Sequence, residues 1–445
     1  MTKRKRTPRV RLYSSEALDL SGLPAKHHDY ARLFIHRLIA RRIFNRRLKG
    51  QSYISMDSRI IRQYIPTRHV TPILKYLVDS GQLDRTGYSK GRSTRYRMSD
   101  VLHRSRCVVY PPKSSSVARK LKGHKERQRK KNDARKRPVH HHLDLWLKRV
   151  QVDEKAAMQF VSDKQRAEFS WLSSLSEVPA IAEQLADDRL HAEASIRAIA
   201  SKDFRSTPCP YGRYHTNISC FHKVLRPFLR IDGQPLAEVD VSACQPLCLA
   251  VLLHDIKRDI LTSVPLTEEQ IRLARKLSIF PVCCASEEED DTIRYQKDCE
   301  SGKFYERMQE ICKVDSKSQM KKKLFKDVFF GKRTLAGFRD LYPTMAGLID
   351  WVKRHDYKHL AHELQRIESS IVIDDACEVM RVEHPEVPIL TIHDAILTTG
   401  EHVCLVKDVL RAAFNRRGVN PQIKPEDTPS SVDEIDAQTP ENGPE

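Results

Sequence analysis

Val387-Pro-Ile-Leu-Thr-Ile-His-Asp-Ala-Ile-Leu-Thr-Thr-Gly400 reads as two short apolar strands joined at His393-Asp394. The polar pair occupies the turn where Asn-Gly would be usual. A carboxylate at the tip of an otherwise buried hairpin is costly unless a cation or hydrogen bonds meet it. Residues 401–414 have the spacing of an amphipathic helix, predicted to cover the hairpin. Upstream, Pro235-Leu-Ala-Glu-Val-Asp-Val-Ser alternates as a strand from Leu236 to Val241, and the apolar run after Pro246 reads as a buried helix. Asp240 falls near that strand's end, where it can face a cleft; a strand-terminal Asp is equally a cap or turn former. Between these stretches, Lys321-Lys-Lys-Leu-Phe-Lys-Asp-Val-Phe-Phe-Gly spaces Lys322, Lys326 and Phe330 at i, i+4 and i+8. At ~1.5 Å per residue that is a helical stripe about 12 Å long. It suits a nucleoside triphosphate, with cations along the phosphates and a ring at the sugar and base. An ordinary basic face with Leu324, Phe325 and Val328 turned inward has the same spacing.

The 445 residues carry 78 Lys+Arg against 58 Asp+Glu, a formal charge of +20. That length implies two to four domains. No run approaches ~18 apolar residues, so no membrane partner is expected, and the basic N-terminus lacks the apolar core of a secretory signal. Eleven Cys scattered from Cys107 to Cys404 without a CxxC pair argue against a disulfide framework. The expectation is a reduced, cytoplasmic, nucleoid-associated protein whose first partner is nucleic acid. Residues 1–12 hold +6, residues 113–137 hold +10, and the stretch from Pro425 onward holds −7. The 113–137 run shows no helical apolar period and reads as a solvated, phosphate-binding linker. His140-His141-His142 lack spaced Cys or carboxylate partners, so zinc is not expected.

Near the N-terminus, residues 30–48 space Leu33, Ile35, Leu38, Ile39, Ile43 and Leu48 for a helix with Arg on the other face. A short helix from Met56 precedes a break at Pro66, and Val70 to Ser80 forms a second, stopped by Gly81 in the left-handed position. Two alternating segments, 83–88 and 93–98, then flank Lys90-Gly91. This order resembles winged-helix DNA-binding domains. The resemblance implies that the 70–80 helix enters the groove with Lys75, and that Lys90, Arg92 and Arg95 meet phosphates.

Taken in order, Asp240-Val-Ser242, Lys322-x3-Lys326-x3-Phe330-Gly331 and His393-Asp394 resemble motifs A, B and C of family A polymerases. That class contains bacterial DNA polymerase I and the phage-type single-subunit RNA polymerases. Gly212-Arg213 resembles the Gly-Arg that touches the primer–template minor groove, and Gln365 the Gln of the helix before motif C. Coverage is roughly residues 205–415. The resemblance implies a DNA polymerase using DNA primer–template and nucleoside triphosphates. Asp240 and Asp394 would hold two Mg²⁺ ions, and Lys326 would contact the α-phosphate. Lys322 would grip the outer phosphates, Phe330 would pack on the incoming nucleotide, and His393 would steady the primer end.

Departures accompany it. Lys322 replaces the motif B Arg, and Thr334 stands where a Tyr is usual. Gln245 replaces the Glu that crowds the sugar 2′ position, and Ala395 follows His-Asp where Glu is common. These leave ribonucleotide use and a primase or RNA polymerase activity open, alongside a non-catalytic initiator. No exonuclease triad is evident, so proofreading is not expected. The implied fold class is α+β. Its divisions are a disordered tip (1–14), a winged helix (15–105), a basic linker (106–142) and a helical segment standing as a reduced thumb (143–204). A palm with a helical fingers insertion (205–424) and a disordered acidic tail (425–445) complete it.

Overall fold

A computed structural model describes residues 11–44, 53–87, 93–173, 179–262, 267–268 and 290–426. The chain mixes helices with antiparallel sheet. In the N-terminal part, strand β1 (Leu12–Ser15) leads to helix α1 (Ala25–Phe44), whose Leu33, Phe34, Ile35, Leu38 and Ile39 are almost fully buried. β2 (Ile54–Ser55), α2 (Ser58–Tyr64) and α3 (Thr67–Asp79) follow, then β3 (Leu83–Arg85) and β4 (Arg95–Met98). The three short strands form one sheet in the order β2-β4-β3. The Asp57 side chain caps α2 by accepting the Arg59 N–H. α3 ends before Gly81, whose φ is 67°, as the sequence predicts.

The stretch read as a linker is not one. After α4 (Asp100–Arg104), β5 (Cys107–Tyr110) returns to pair with β1, Leu12 opposite Tyr110. The N-terminal unit therefore starts inside the predicted tip and extends past residue 105. The basic run then forms α5 (Ser115–Asp133), capped by Ser114. Two apolar side chains one turn apart, Val117 and Leu121, join it to the N-terminal core.

α6 (Pro138–Arg149), β6 (Val150–Val152), α7 (Glu154–Ser173) and α8 (Pro179–Ala200) complete the middle of the chain. α8 is a shared wall: Leu190, Ala194 and Ala198 join the N-terminal hydrophobic cluster, while Ala192, Ile196 and Ile199 join the second, larger one. The predicted helical segment is thus bound into both cores.

The larger cluster surrounds a sheet in the order β11-β12-β10-β9-β6, with β13 also paired to β10. β9 (Leu229–Ile231) and β10 (Gln234–Val241) come first, and β11 (Leu390–Ile392) and β12 (Ala395–Thr399) form the hairpin anticipated from the sequence. β13 (Ile423–Glu426) lies along β10, so the acidic tail's first residues belong to the sheet. α9 (Cys244–Thr262) runs from β10, and Leu247, Cys248 and Leu249 on it are fully buried. The helix Val403–Asn415 covers the hairpin through Val406, Leu410, Ala413 and Phe414. Outside this sheet, β7 (Ser206–Pro208) and β8 (Tyr214–Thr216) form a two-stranded hairpin. Two helices change pitch: Lys317–Lys323 continues as a π-helix over Leu324–Phe329, and Lys358–Ser369 over Ser370–Cys377.

Candidate active site

Asp240 is the penultimate residue of β10, and its partner across the ladder is Ala395 of β12. Asp394, in the turn just before Ala395, is therefore carried next to it. On the opposite side of β10, Asp240 pairs in register with Lys424 of β13. Strand pairing thus unites two carboxylates that lie far apart in sequence. His393 adopts φ 55° in the turn, a left-handed conformation that His tolerates better than most residues. Its ring meets His215 of β8 edge-on, 6.2 Å between centroids.

The Asp394 carboxyl is pushed up to about 7, first by burial and then by the negative charges of Asp240 and Glu368, with Lys321 opposing. Carboxylates that share a site disfavour each other's ionised form. A cation bound between them would reverse that penalty. Among the described residues, no group of three or more His, Cys, Asp or Glu forms a metal cage, the His140–His142 run included. The donor set still fits Mg²⁺, which is held through one or two carboxylates plus substrate phosphates rather than by an all-protein cage.

Glu368 was not anticipated from the sequence. It is 1% exposed on the helix Lys358–Ser369. Arg213 donates to it through Nε and Nη2 at 2.7 and 2.6 Å. Gln245 Nε2 donates to Glu368 Oε2, while Gln245 Oε1 is buried without a hydrogen-bond partner. Gly212 makes this possible. It sits in the β7–β8 turn at φ 87°, and a Cβ there would lie 2.8 Å from Ser369 Cβ. The turn packs directly on the helix, and Arg213 reaches Glu368 from it. Arg213, expected on nucleic acid, gives its guanidinium to Glu368 and stays partly exposed. Gln365, one turn before Glu368, is half-buried.

The motif B stripe is present but bent. Lys322 lies in the α-helical part and Lys326 in the π-helical part, both exposed, with Phe330 39% exposed just beyond. Widening to i→i+5 means that i, i+4, i+8 spacing no longer projects as one straight row. The cation felt by Asp394 is Lys321 rather than either residue of the stripe. Lys321 Nζ also sits 5.7 Å from the centroid of the Tyr305 ring. The Tyr305 phenol is raised by burial first, with Asp394 and Asp240 among the charges that add to the shift. In the sequence, Lys321 is one of three consecutive lysines and Tyr305 one aromatic among many, so spacing alone does not single them out.

In the N-terminal unit, Lys75 is exposed on α3 with Nζ 2.5 Å from Asp79, and Arg95 is exposed on β4. Lys90 and Arg92 lie outside the described residues.

No protein-family model matches this chain, and no curated protein does. Among solved structures, the POL domain of Pol1 from M. smegmatis, in complex with DNA primer-template and dNTP, is similar over 64% of this chain and 68% of that one. The identity is 12% and the TM-score 0.26, a level that establishes no shared fold. No described helix is long and apolar enough to cross a membrane.

Proposed function

We propose that the chain is a template-directed nucleic-acid polymerase that extends a primer by two-metal phosphoryl transfer, foremost a DNA polymerase without proofreading. The observation that carries this is the juxtaposition of Asp240 and Asp394 on neighbouring strands, with the Asp394 carboxyl pushed up to about 7 by burial and by Asp240. In this reading the two aspartates hold Mg²⁺, which when bound activates the primer 3′-OH and neutralises the leaving pyrophosphate. The exposed lysines on the Lys317–Phe329 segment engage the triphosphate, Lys326 at the α-phosphate and Lys322 farther out. Phe330 offers its exposed ring to the nucleotide, and His393 steadies the primer end. α1–α3 with the sheet β2-β4-β3 act as a winged helix on DNA through Lys75, Lys90, Arg92 and Arg95.

Ribonucleotide use is the second reading, favoured by Gln245. Its amide donates to buried Glu368, so a Glu at 245 would set two carboxylates against each other. The usual sugar-excluding acid is therefore incompatible with Glu368 as it stands.

Primer extension in Mg²⁺ with dNTPs and, separately, NTPs tests the proposal. Asp240→Asn and Asp394→Asn should each lower the rate by about 10³-fold, near the upper range for removing one electrostatic stabiliser, with DNA affinity unchanged. A wild-type protein that incorporates neither nucleotide class, or variants that extend at the wild-type rate, would overturn it.

A further inference from the structure

The basic helix α5 plays no part in the chemistry above, yet its charges are sorted. One face is fastened to the body at both ends. Val117 and Leu121 are buried, Lys125 Nζ bonds the Asp203 carboxylate at 2.7 Å, and Asn132 Nδ2 donates to Ser206 O at 3.2 Å. Lys122 and Arg129 lie near acids of the helix itself, Glu126 and Asp133. Five exposed cations remain without an ion pair among the described residues: Arg119, Lys120, Arg127, Lys130 and Lys131. At about 100° per residue these five fall within an arc of about 120°, away from the anchored face. Their span from Arg119 to Lys131 is about 18 Å, which matches about five phosphates of one strand at ~3.4 Å each.

The stripe leads onward. Just beyond α5, Arg135 and Arg137 line a groove of about 410 Å³ together with Arg366, Tyr211, Gly212 and Ser369. Asp374 is the single acid of the lining and pairs with Arg137 at 2.5 Å; Arg366 pairs with Glu363 outside the lining, and Arg135 has no ion pair among the described residues. Two lining residues also keep buried polar atoms without partners, His140 Nε2 and Ser369 Oγ. His140 Nδ1 accepts the Arg137 backbone N–H at 3.1 Å. Burial holds the ring down to about 4, so the neutral imidazole carries its proton on Nε2. The Gly212–Ser369 side of the groove is the packing behind the Arg213–Glu368 pair.

We propose that the α5 stripe and this groove form one track for the phosphodiester backbone of the nucleic acid that reaches the candidate active site. The destination rests on the polymerase reading; the ligand chemistry rests on the sorted cations.

The test is anisotropy titration of the full chain across a KCl series. Three labelled probes are used: a blunt duplex, a single strand, and a primer–template with a long overhang. The variant K120Q/R127Q/K130Q/K131Q keeps strong helix formers at exposed positions. It should weaken primer–template binding at least tenfold and flatten the logarithmic salt dependence by about 3, given ~0.7–0.9 for each phosphate no longer neutralised. The extension rate at saturating DNA should stay unchanged. R135Q/R366Q should weaken the same probe independently, and decides the matter if the fourfold variant does not fold. A loss confined to the blunt duplex assigns the track to the duplex arm. A loss confined to the single strand assigns it to the overhang. Unchanged affinity and salt slope on all three probes overturn the track. Weakened binding by a chain whose wild type extends no primer upholds the track while the polymerase reading falls.

Discussion

Two places in the molecule treat buried titratable groups in opposite ways. Around α1, histidines are packed as neutral groups. His27 and His69 meet through Nδ1 at 3.0 Å, and burial lowers both. His36 is held down to about 3 and accepts the Tyr13 N–H. At the end of β10, by contrast, Asp240, Asp394 and Glu368 are gathered so that their charges oppose one another. The first arrangement removes charge from the interior. The second retains negative charge at a cost, as expected of a site completed by a cation and a substrate.

The sharpest way to break this contrast is at Glu368. Glu368→Ala leaves the Arg213 guanidinium without its carboxylate and should cost about 3 kcal/mol, at the low end for buried pairs because Arg213 is partly exposed. Urea denaturation measures it; a loss under about 1 kcal/mol would make the pair a surface interaction in all but name. A pair of glycines separates backbone strain from packing. Gly81 and Gly212 both have positive φ, but a Cβ at Gly81 meets nothing within 4 Å. Gly81→Ala should cost about 1 kcal/mol, and Gly212→Ala about 2–3 kcal/mol once the clash with Ser369 is added. Equal shifts in thermal midpoint would show that the β7–β8 turn is not pressed on its helix.

The smallest effect is a pH slope. Lys353 Nζ donates to Val328 O in the π-helical stretch, and burial holds its ammonium down to about 8. The unfolded chain binds that proton up to about 10.4. Between those values the unfolded state is the more protonated, so stability rises with pH, by about 1 kcal/mol from pH 8 to 9. As pH falls through 8 the contribution is lost. Lys353→Met should flatten this slope in urea midpoints; an unaltered slope would assign it elsewhere.

The hairpin at His393-Asp394 and the strand ending at Asp240 are legible in the sequence because alternation and a turn are local signals. Their adjacency is legible only through the family resemblance, since register between strands this distant in sequence is chosen by the fold. The Arg213–Glu368–Gln245 cluster is hidden for the same reason: each residue looks solvated until the β7–β8 turn is docked. α5 passes for a linker because eight cations mask the two apolar residues that seat it. The π-helical stretches leave no signature in hydrophobic spacing at all.

Those stretches have a consequence for how the chain tolerates change. Phe330 N–H bonds Phe325 O at 2.9 Å, one residue farther back than in an α-helix. Removing one residue from Leu324–Phe329 would let the coil tighten to an ordinary α-helix, the extra residue of the wide turn being the one lost, so everything after it keeps nearly the same direction. Phe330 would then keep its side of the helix. The wide turn thus works as slack: one residue can be lost from it, whereas a loss from the α-helical Lys317–Lys323 beside it would turn Phe330 by about 100°.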